Sequence, residues 1–397
     1  MTRLSHDLAA RRPYLTPDFS DAEYDRRLHA VRAGMAAAGL DALVVYCGPA
    51  SYASVRWLTN YQPIGGNTFA VIREDGGITV TTDGVLHAEP MHSMVWTCRA
   101  ADLRCAAGPV YGGAPEEVAT LAAAATGTAR RVGLAGSLAI PQHFYAALAA
   151  DLPGLVPADS VVANARMIKS AEEIDAMEQS GKIADAAFEA VFAALAPGVA
   201  DTDVAAAAVA AMLRRGAIES FRTCVVAGPL AGLKHSYPRG HILMAGEMVF
   251  LDLGASFKGY CSDTSRTCTI GPPARRDAAD LLEVSAEIYA AGMAEMRPGR
   301  TVDDVAQALL RVVRGSRWEP DFYPGGFGHG VGLDLFEAPG GLFAGSTAEL
   351  RPGMTLAYEP MVVVEGLGTG VIEDTVLITE TGHRLLTNSP HRRTHSS

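Results

Sequence analysis

The sequence predicts an α+β protein in two parts: an α/β domain over residues 1–164 and a mixed helix-and-strand domain over residues 165–397. Three observations carry this prediction. Helical and strand periodicities alternate through the front of the chain. The composition shifts over residues 161–170, where a long amphipathic run begins. Behind it, two hairpin-like stretches each hold a pair of carboxylates inside otherwise apolar strands. The length agrees, because 397 residues exceed what one hydrophobic core usually holds.

Composition narrows the function classes. Hydrophobic residues make up 49% of the chain and charged residues 19%, which is enough apolar surface for a large core and excludes a disordered chain. The net charge is −11 and no basic stripe is present, so no nucleic-acid partner is expected. The basic run at residues 391–395 reads as a solvated tail. No stretch approaches the ~20 apolar residues that span a bilayer, and the N-terminus lacks the apolar core of a signal peptide. The six cysteines form no CxxC pair and read as reduced thiols. The expected setting is a cytoplasm, with no membrane partner.

The front elements follow from periodicity and punctuation. Over residues 21–38, Tyr24, Leu28, Val31 and Met35 recur at helical spacing behind Ser20, a candidate N-cap. Residues 43–46 form a short apolar strand. Residues 68–72 and 78–82 read as two strands about the turn Glu74, Asp75, Gly76, Gly77, and 131–134 as another. This part carries no GxxxxGK[ST], no GxGxxG after a strand and no catalytic constellation.

Past the boundary, residues 171–195 form a long helix with Ile174, Met177, Ile183, Ala187 and Phe188 on one side. Glu172, Glu173 and Asp175 near its start suit the positive end of the helix dipole. The alanine-rich run at 205–211 lies between Asp201, Asp203 and Arg214, Arg215, and so reads as a helix of a water-soluble core. A strand-rich block follows at 223–270, then helices at 277–296 and 302–314, then a β block at 325–386.

The two hairpins hold the chemistry. In the first, a tight turn at Phe257 and Lys258 that pairs Ser256 with Gly259 sets Asp252 directly opposite Asp263, and a glycine bulge at Gly259 would shift the register by one and keep them adjacent. In the second, Glu359 and Glu373 lie symmetrically about Gly366. Carboxylates facing each other across a ladder repel, so each pair requires a shared proton or a cation. His329 sits in the glycine-rich run 325–332, where backbone and ligand approach closely. Alone it reads as a satisfied core histidine; beside four carboxylates it reads as a metal ligand. Carboxylate-rich sets with one imidazole suit manganese, iron, cobalt or zinc, often as two ions sharing bridging carboxylates. Two divalent ions, manganese first among them, are therefore expected, acidifying a water and polarising a carbonyl.

The order Asp252, Asp263, His329, Glu359, Glu373, in the contexts LDLGA, SDTSRT, GHGVGL, YEP and IEDT, resembles the pita-bread metalloenzyme family. That family includes creatinase, aminopeptidase P, prolidase, ectoine hydrolase and certain dimethylsulfoniopropionate lyases. The resemblance covers nearly the whole chain: NARMIKSAEEIDAM is similar to the family's passage into its catalytic domain, and residues 56–61 fit its creatinase-type N-terminal domain. It implies a creatinase-type front domain and a C-terminal pita-bread catalytic domain. It implies that Asp252 binds one metal, His329 and Glu359 the other, and that Asp263 and Glu373 bridge. It further implies that His235 contacts the substrate, with Glu359 or Glu373 moving a proton; without the resemblance His235 reads as a surface-loop residue. His241 reads as structural and Cys261 as a small buried thiol. A homodimer is implied, with Trp57, Tyr61 and Phe69 near the partner's metal centre.

Two positions depart from the peptidase pattern. Phe336 stands where proline-specific members carry a second histidine, and Val371 stands where they often carry arginine. The expectation is a metal-dependent hydrolase cleaving an amide or amidine-like C–N bond in a small polar substrate, with weak turnover of Xaa-Pro dipeptides. The alternatives are a lyase, an ordinary Xaa-Pro dipeptidase or aminopeptidase, and a non-catalytic binding protein.

Overall fold

The computed structural model describes residues 17–63, 66–83, 98–106, 115–232 and 236–395. Contacts divide the chain into two compact units, Met1–Arg166 and Met167–Ser397, where composition places the boundary after residue 164.

In the first unit, six described strands form one mixed sheet: β1 (Ala42–Cys47), β2 (Thr68–Arg73), β3 (Thr79–Thr82), β4 (Asp102–Cys105), β5 (Val132–Ala135) and β6 (Leu155–Pro157), in the order β4-β3-β2-β1-β5-β6. Every residue of β1 is buried, which is why its sequence is a continuous apolar run rather than an alternating one. The helix Asp21–Ala38 begins where Ser20 Oγ accepts from the Glu23 amide at 3.2 Å and stops at Gly39, whose φ of 64° suits a residue without Cβ.

That helix buries a charge. Arg27 is 1% exposed; it donates to Glu23 Oε1 at 2.7 Å and to the Trp57 carbonyl at 2.9 Å. Burial alone would raise the Glu23 carboxyl, but the bonded guanidiniums of Arg26 and Arg27 hold it below its ordinary range. A carboxyl with a lowered folded pKa stabilises fully above its unfolded value of about 4.3 and loses that contribution as pH falls through the folded value. The melting-temperature gap between wild type and Glu23→Gln therefore holds down to about pH 4.3 and narrows as pH falls below that through the folded value. A constant gap in a pH series of thermal melts refutes the assignment.

The same packing buries three aromatic residues. Trp57, Tyr61 and Phe69 are 1%, 0% and 0% exposed. The Trp57 carbonyl holds Arg27, Tyr61 Oη donates to Thr82 at 3.4 Å, and Phe69 packs against Tyr46 and Phe144. These side chains build their own unit's core.

The second unit opens with the helix Ala171–Ala194, started by a reciprocal capping box between Ser170 and Glu173. Its Gly181 lets the helix touch the chain at Leu386, whose carbonyl oxygen a Cβ would meet at 1.9 Å. The alanine-rich segment is the helix Asp201–Leu213, burying Val204, Ala208, Ala211 and Met212. No described helix is long and apolar enough to cross a membrane.

The strands here are β7 (Ile218–Glu219), β8 (Cys224–Ala227), β9 (Met248–Leu253), β10 (Ala255–Phe257), β11 (Tyr260–Cys261), β12 (Thr264–Ile270), β13 (Gly328–Gly330), β14 (Glu337–Gly341), β15 (Thr355–Tyr358), β16 (Met361–Val364), β17 (Gly368–Val371), β18 (Asp374–Ile378), β19 (His383–Leu385) and β20 (Thr394–His395). Among the described residues they form a sheet β20-β12-β9-β8, a sheet β14-β13-β15-β18-β19, a small sheet β11-β10-β7 and the hairpin β16-β17. The helices Arg276–Met293 and Val302–Val313 share one apolar core with residues of β15, β16 and β18.

Register decides how the carboxylates meet. Tyr358 pairs with Asp374 on one side and Met361 with Val371 on the other, so the continuous register sets Glu359 against Glu373, as expected from the symmetry about Gly366. The first hairpin differs. Phe257 pairs with Tyr260, and Asp252 lies opposite Ser265 rather than Asp263. The turn occupies Lys258 and Gly259, with φ of 51° and 85°, because a two-residue hairpin loop matches strand twist when both residues have positive φ. The register is thereby displaced by two residues. An even shift preserves the face of the sheet, so both aspartates still point the same way.

Candidate metal centre

Asp252, Asp263, His329, Glu359 and Glu373 all line one cavity of about 640 Å³ in the second unit. β9 carries Asp252, the step between β11 and β12 carries Asp263, and β13 carries His329. Glu359 and Glu373 leave β15 and precede β18. Asp263, His329 and Glu373 converge most closely: one ligand atom from each lies within 4.8 Å of the others. All three are buried, at 5%, 5% and 1% exposure. Asp252 is buried too, and Glu359 is half-buried.

Glycines flank His329 because its neighbours approach closely. A Cβ on Gly328, whose φ is 142°, would meet the Ala357 carbonyl oxygen at 2.0 Å, and one on Gly330 would meet the Glu337 carbonyl at 2.4 Å. The imidazole Nε2 lies 3.3 Å from Asp263 Oδ2, and Nδ1 lies 3.1 Å from the Gly330 carbonyl. Burial opposes the charged imidazole, but Asp263 beside it and Glu359 nearby hold its pKa above the ordinary value.

Glu373 is the most informative residue. Its Oε2 accepts from Ser265 Oγ at 2.5 Å, while its buried Oε1 has no hydrogen-bond partner among the described residues. Burial pushes its carboxyl well above the usual carboxylate range, and the charges of Asp263, Glu359 and Asp252 push the same way. Next in sequence, Asp374 is equally buried yet saturated: it accepts from Arg266 at 2.8 Å, Tyr289 at 2.7 Å and Thr387 at 2.8 Å. Strand alternation sends one carboxylate to the cavity and the other to a permanent arginine. Buried carboxylates with an unmet acceptor, beside an imidazole, fit a divalent cation.

Several expectations are decided by position. His235 lies outside the described residues. His241 bonds Glu247 at 3.0 Å, a structural role. Burial pushes the Cys261 thiol up to about 12, which makes it inert. Phe336 lines the cavity yet is 67% exposed, with its ring centroid 4.1 Å from that of His329. Val371 is buried among Cys224, Val226, Phe250 and Met361 and does not line the cavity. Thus neither replacement walls the cavity with a buried apolar group. The sequence reading passed over Ser265, which orients Glu373, and Arg222, which lines the cavity with its guanidinium 4.1 Å from the Tyr237 ring centroid. Ser265 lies inside the SDTSRT context with no role read for it, and Arg222 lies in no such context; long-range pairing brings both here.

Known proteins resemble this chain over both domains. The model of metallopeptidase family M24 matches residues 175–380, and that of the creatinase/prolidase N-terminal domain matches residues 27–168. The chain is 36% identical over 247 residues to an uncharacterized peptidase, YqhT, of Bacillus subtilis, covering 62% of this chain and 69% of the relative. It is 32% identical over 232 residues to an Xaa-Pro dipeptidase of Pyrococcus furiosus, covering 58% of this chain and 66% of that relative. The crystal structure of dipeptidase PepE from Mycobacterium ulcerans superposes with a TM-score of 0.81 at 29% identity, over 96% of this chain and all of that one, 100%. With a creatinase-like front domain and a pita-bread domain whose cavity gathers these carboxylates, the chain belongs to metallopeptidase family M24, a family of metal-dependent hydrolases.

Proposed function

We propose that this protein hydrolyses the C–N bond of a small peptide or peptide-like substrate, using two divalent ions held by Asp252, Asp263, His329, Glu359 and Glu373. The observation that carries this reading is the Glu373 carboxylate, buried with Oε1 unpartnered and within ligand range of Asp263 and His329. Asp263, Glu373 and His329, whose ligand atoms converge within 4.8 Å, would stand at the centre of the set that holds the ions. When bound, the ions supply Lewis acidity to a carbonyl and acidify a water. The protein's own residues do the rest. Ser265 fixes the Glu373 carboxylate by donating to Oε2, and the half-buried Glu359 is the group placed to carry a proton between solvent and the leaving nitrogen. His235, by its family position, contacts the substrate.

The named relatives favour a peptide over an amidine. The test is steady-state hydrolysis of an Xaa-Pro dipeptide panel by protein loaded in turn with manganese, iron, cobalt and zinc, beside metal analysis. Up to two ions per chain and turnover abolished by a chelator are expected. Absence of bound metal, or turnover indifferent to chelation, overturns the reading.

A further inference from the structure

Lys169 stands two residues ahead of the helix Ala171–Ala194, and its ammonium pairs with Oε1 of Glu337 on β14. The two side chains are 1% and 7% exposed, so water and salt screen the pair little. Lys169 is fixed at both ends. Its amide donates to the Gly353 carbonyl at 2.9 Å, and Nζ donates to the Met167 carbonyl at 3.5 Å. Gly332 closes the space around the pair, since a Cβ there would run into Glu337 Oε1 and lie 2.9 Å from Lys169 Cε.

Glu337 also lines the metal-site cavity, together with Asp252, Asp263, Glu359 and Glu373. It pairs across the β13–β14 ladder with Gly330, the residue after His329. The described cavity wall therefore holds five carboxylates, where the candidate ligand set uses four beside His329.

We propose that Lys169 withholds Glu337 from the metal ions, limiting the ligands to Asp252, Asp263, His329, Glu359 and Glu373 and keeping a coordination position open. The inference rests on the metal-centre reading above and deepens it.

Stability is a weak reason to keep this pair, because apolar residues of similar volume serve a buried site as well or better. Charge gives a stronger one. A carboxylate on the wall of the cavity is drawn to a divalent ion as its neighbours are, and an ammonium seated on its oxygen competes for it. Catalytic metal sites keep a position free for substrate. One more carboxylate would fill that position and weaken the Lewis acidity that polarises a carbonyl.

The test is calorimetric titration of chelator-stripped protein with manganese(II), on wild type, Lys169→Met, Glu337→Gln and the double variant. Lys169→Met should bind manganese roughly tenfold or more tightly than wild type, the scale on which groups around the ligands tune affinity. Its metal-free form should nevertheless melt below wild type, because a buried carboxylate has lost its partner. Manganese should then raise its melting temperature by more than that of wild type. A merely structural role for Lys169 moves the affinity the other way. Glu337→Gln leaves an ammonium beside the ions and should bind more weakly, and the double variant should return close to wild type. Cobalt(II) absorption should change in Lys169→Met, as expected for an added ligand, and revert in the double variant. Affinity unchanged or lowered in Lys169→Met, or a gain that persists without Glu337, overturns the proposal. If Lys169→Met does not fold, Lys169→Gln, which keeps a donor but no charge, is read by the same outcomes. Should wild type bind no divalent ion, the metal-centre reading fails by itself. Binding gained in Lys169→Met and lost in the double variant then sustains the role of Lys169, and no gain overturns it.

Discussion

Glu373→Gln is expected to weaken metal binding and hydrolysis by orders of magnitude while making the metal-free protein more stable. An unfolded glutamate ionises near 4.3, but the buried Glu373 carboxyl resists ionisation, first through burial and then through the charges of Asp263, Glu359 and Asp252. A carboxyl with a raised folded pKa costs stability that grows as pH climbs above the unfolded value and levels off only past the folded one. Glutamine removes that cost and keeps an oxygen for Ser265 to bond. In chelator, the variant should melt above wild type, by more above about pH 4.3 than below it. With metal present the order should reverse, because binding to the native state stabilises wild type by mass action. Loss of a ligand carboxylate should weaken metal affinity by more than about 10²-fold, beyond what outer-shell changes cost. Hydrolysis should fall by at least about 10³-fold, the upper range for one lost electrostatic group. Equal metal stoichiometry in wild type and variant would remove Glu373 from the ligand set.

One residue along, the effect should change sign. Asp374→Asn is expected to destabilise the protein by about 3–5 kcal/mol, the cost of breaking a buried ion pair from one side. Arg266 and Asp374 are 2% and 0% exposed, and their contact is 2.8 Å. Burial opposes the Asp374 charge, yet Arg266, His391 and Tyr289 together hold its carboxyl below the ordinary range. Arg266 also donates to the carbonyls of Ser389 and Glu373, so its charge cannot leave the core without unpicking several strands. Urea unfolding should show the loss, while metal bound per folded molecule stays near the wild-type value. A variant of unchanged stability refutes the structural role. Metal lost in step with stability, from protein that remains folded, would instead place Asp374 in the site's function.

Local chemistry in the sequence determined much of the architecture. Ser20 and Ser170 mark helix starts because their side chains satisfy amides that the helix leaves open. The run at β1 reads as a buried strand because it is apolar without a break. The Glu359–Glu373 register follows from sequence alone, since strands of equal reach leave a loop centred on Gly366. The candidate ligand types, two pairs of carboxylates and one imidazole among glycines, were legible for the same reason: charges inside apolar strands need a partner.

Tertiary structure decided what depends on contacts between distant segments or on backbone angles. The first hairpin turns at Lys258 and Gly259, one residue later than spacing implies, because turn type follows from φ rather than from symmetry. Glu373 and Asp374 are chemically alike neighbours. Only the fold brings Arg266 to one and leaves an oxygen of the other unmet. Phe336 is an exposed part of the cavity lining, whereas Val371 is buried in a small apolar cluster. Arg222 belongs to no motif, and reaches the acidic cavity because β8 pairs with β9 at Cys224 and Asp252. A sequence records which charges exist; which of them are neutralised within the fold, and which are left for a ligand, is set by long-range packing.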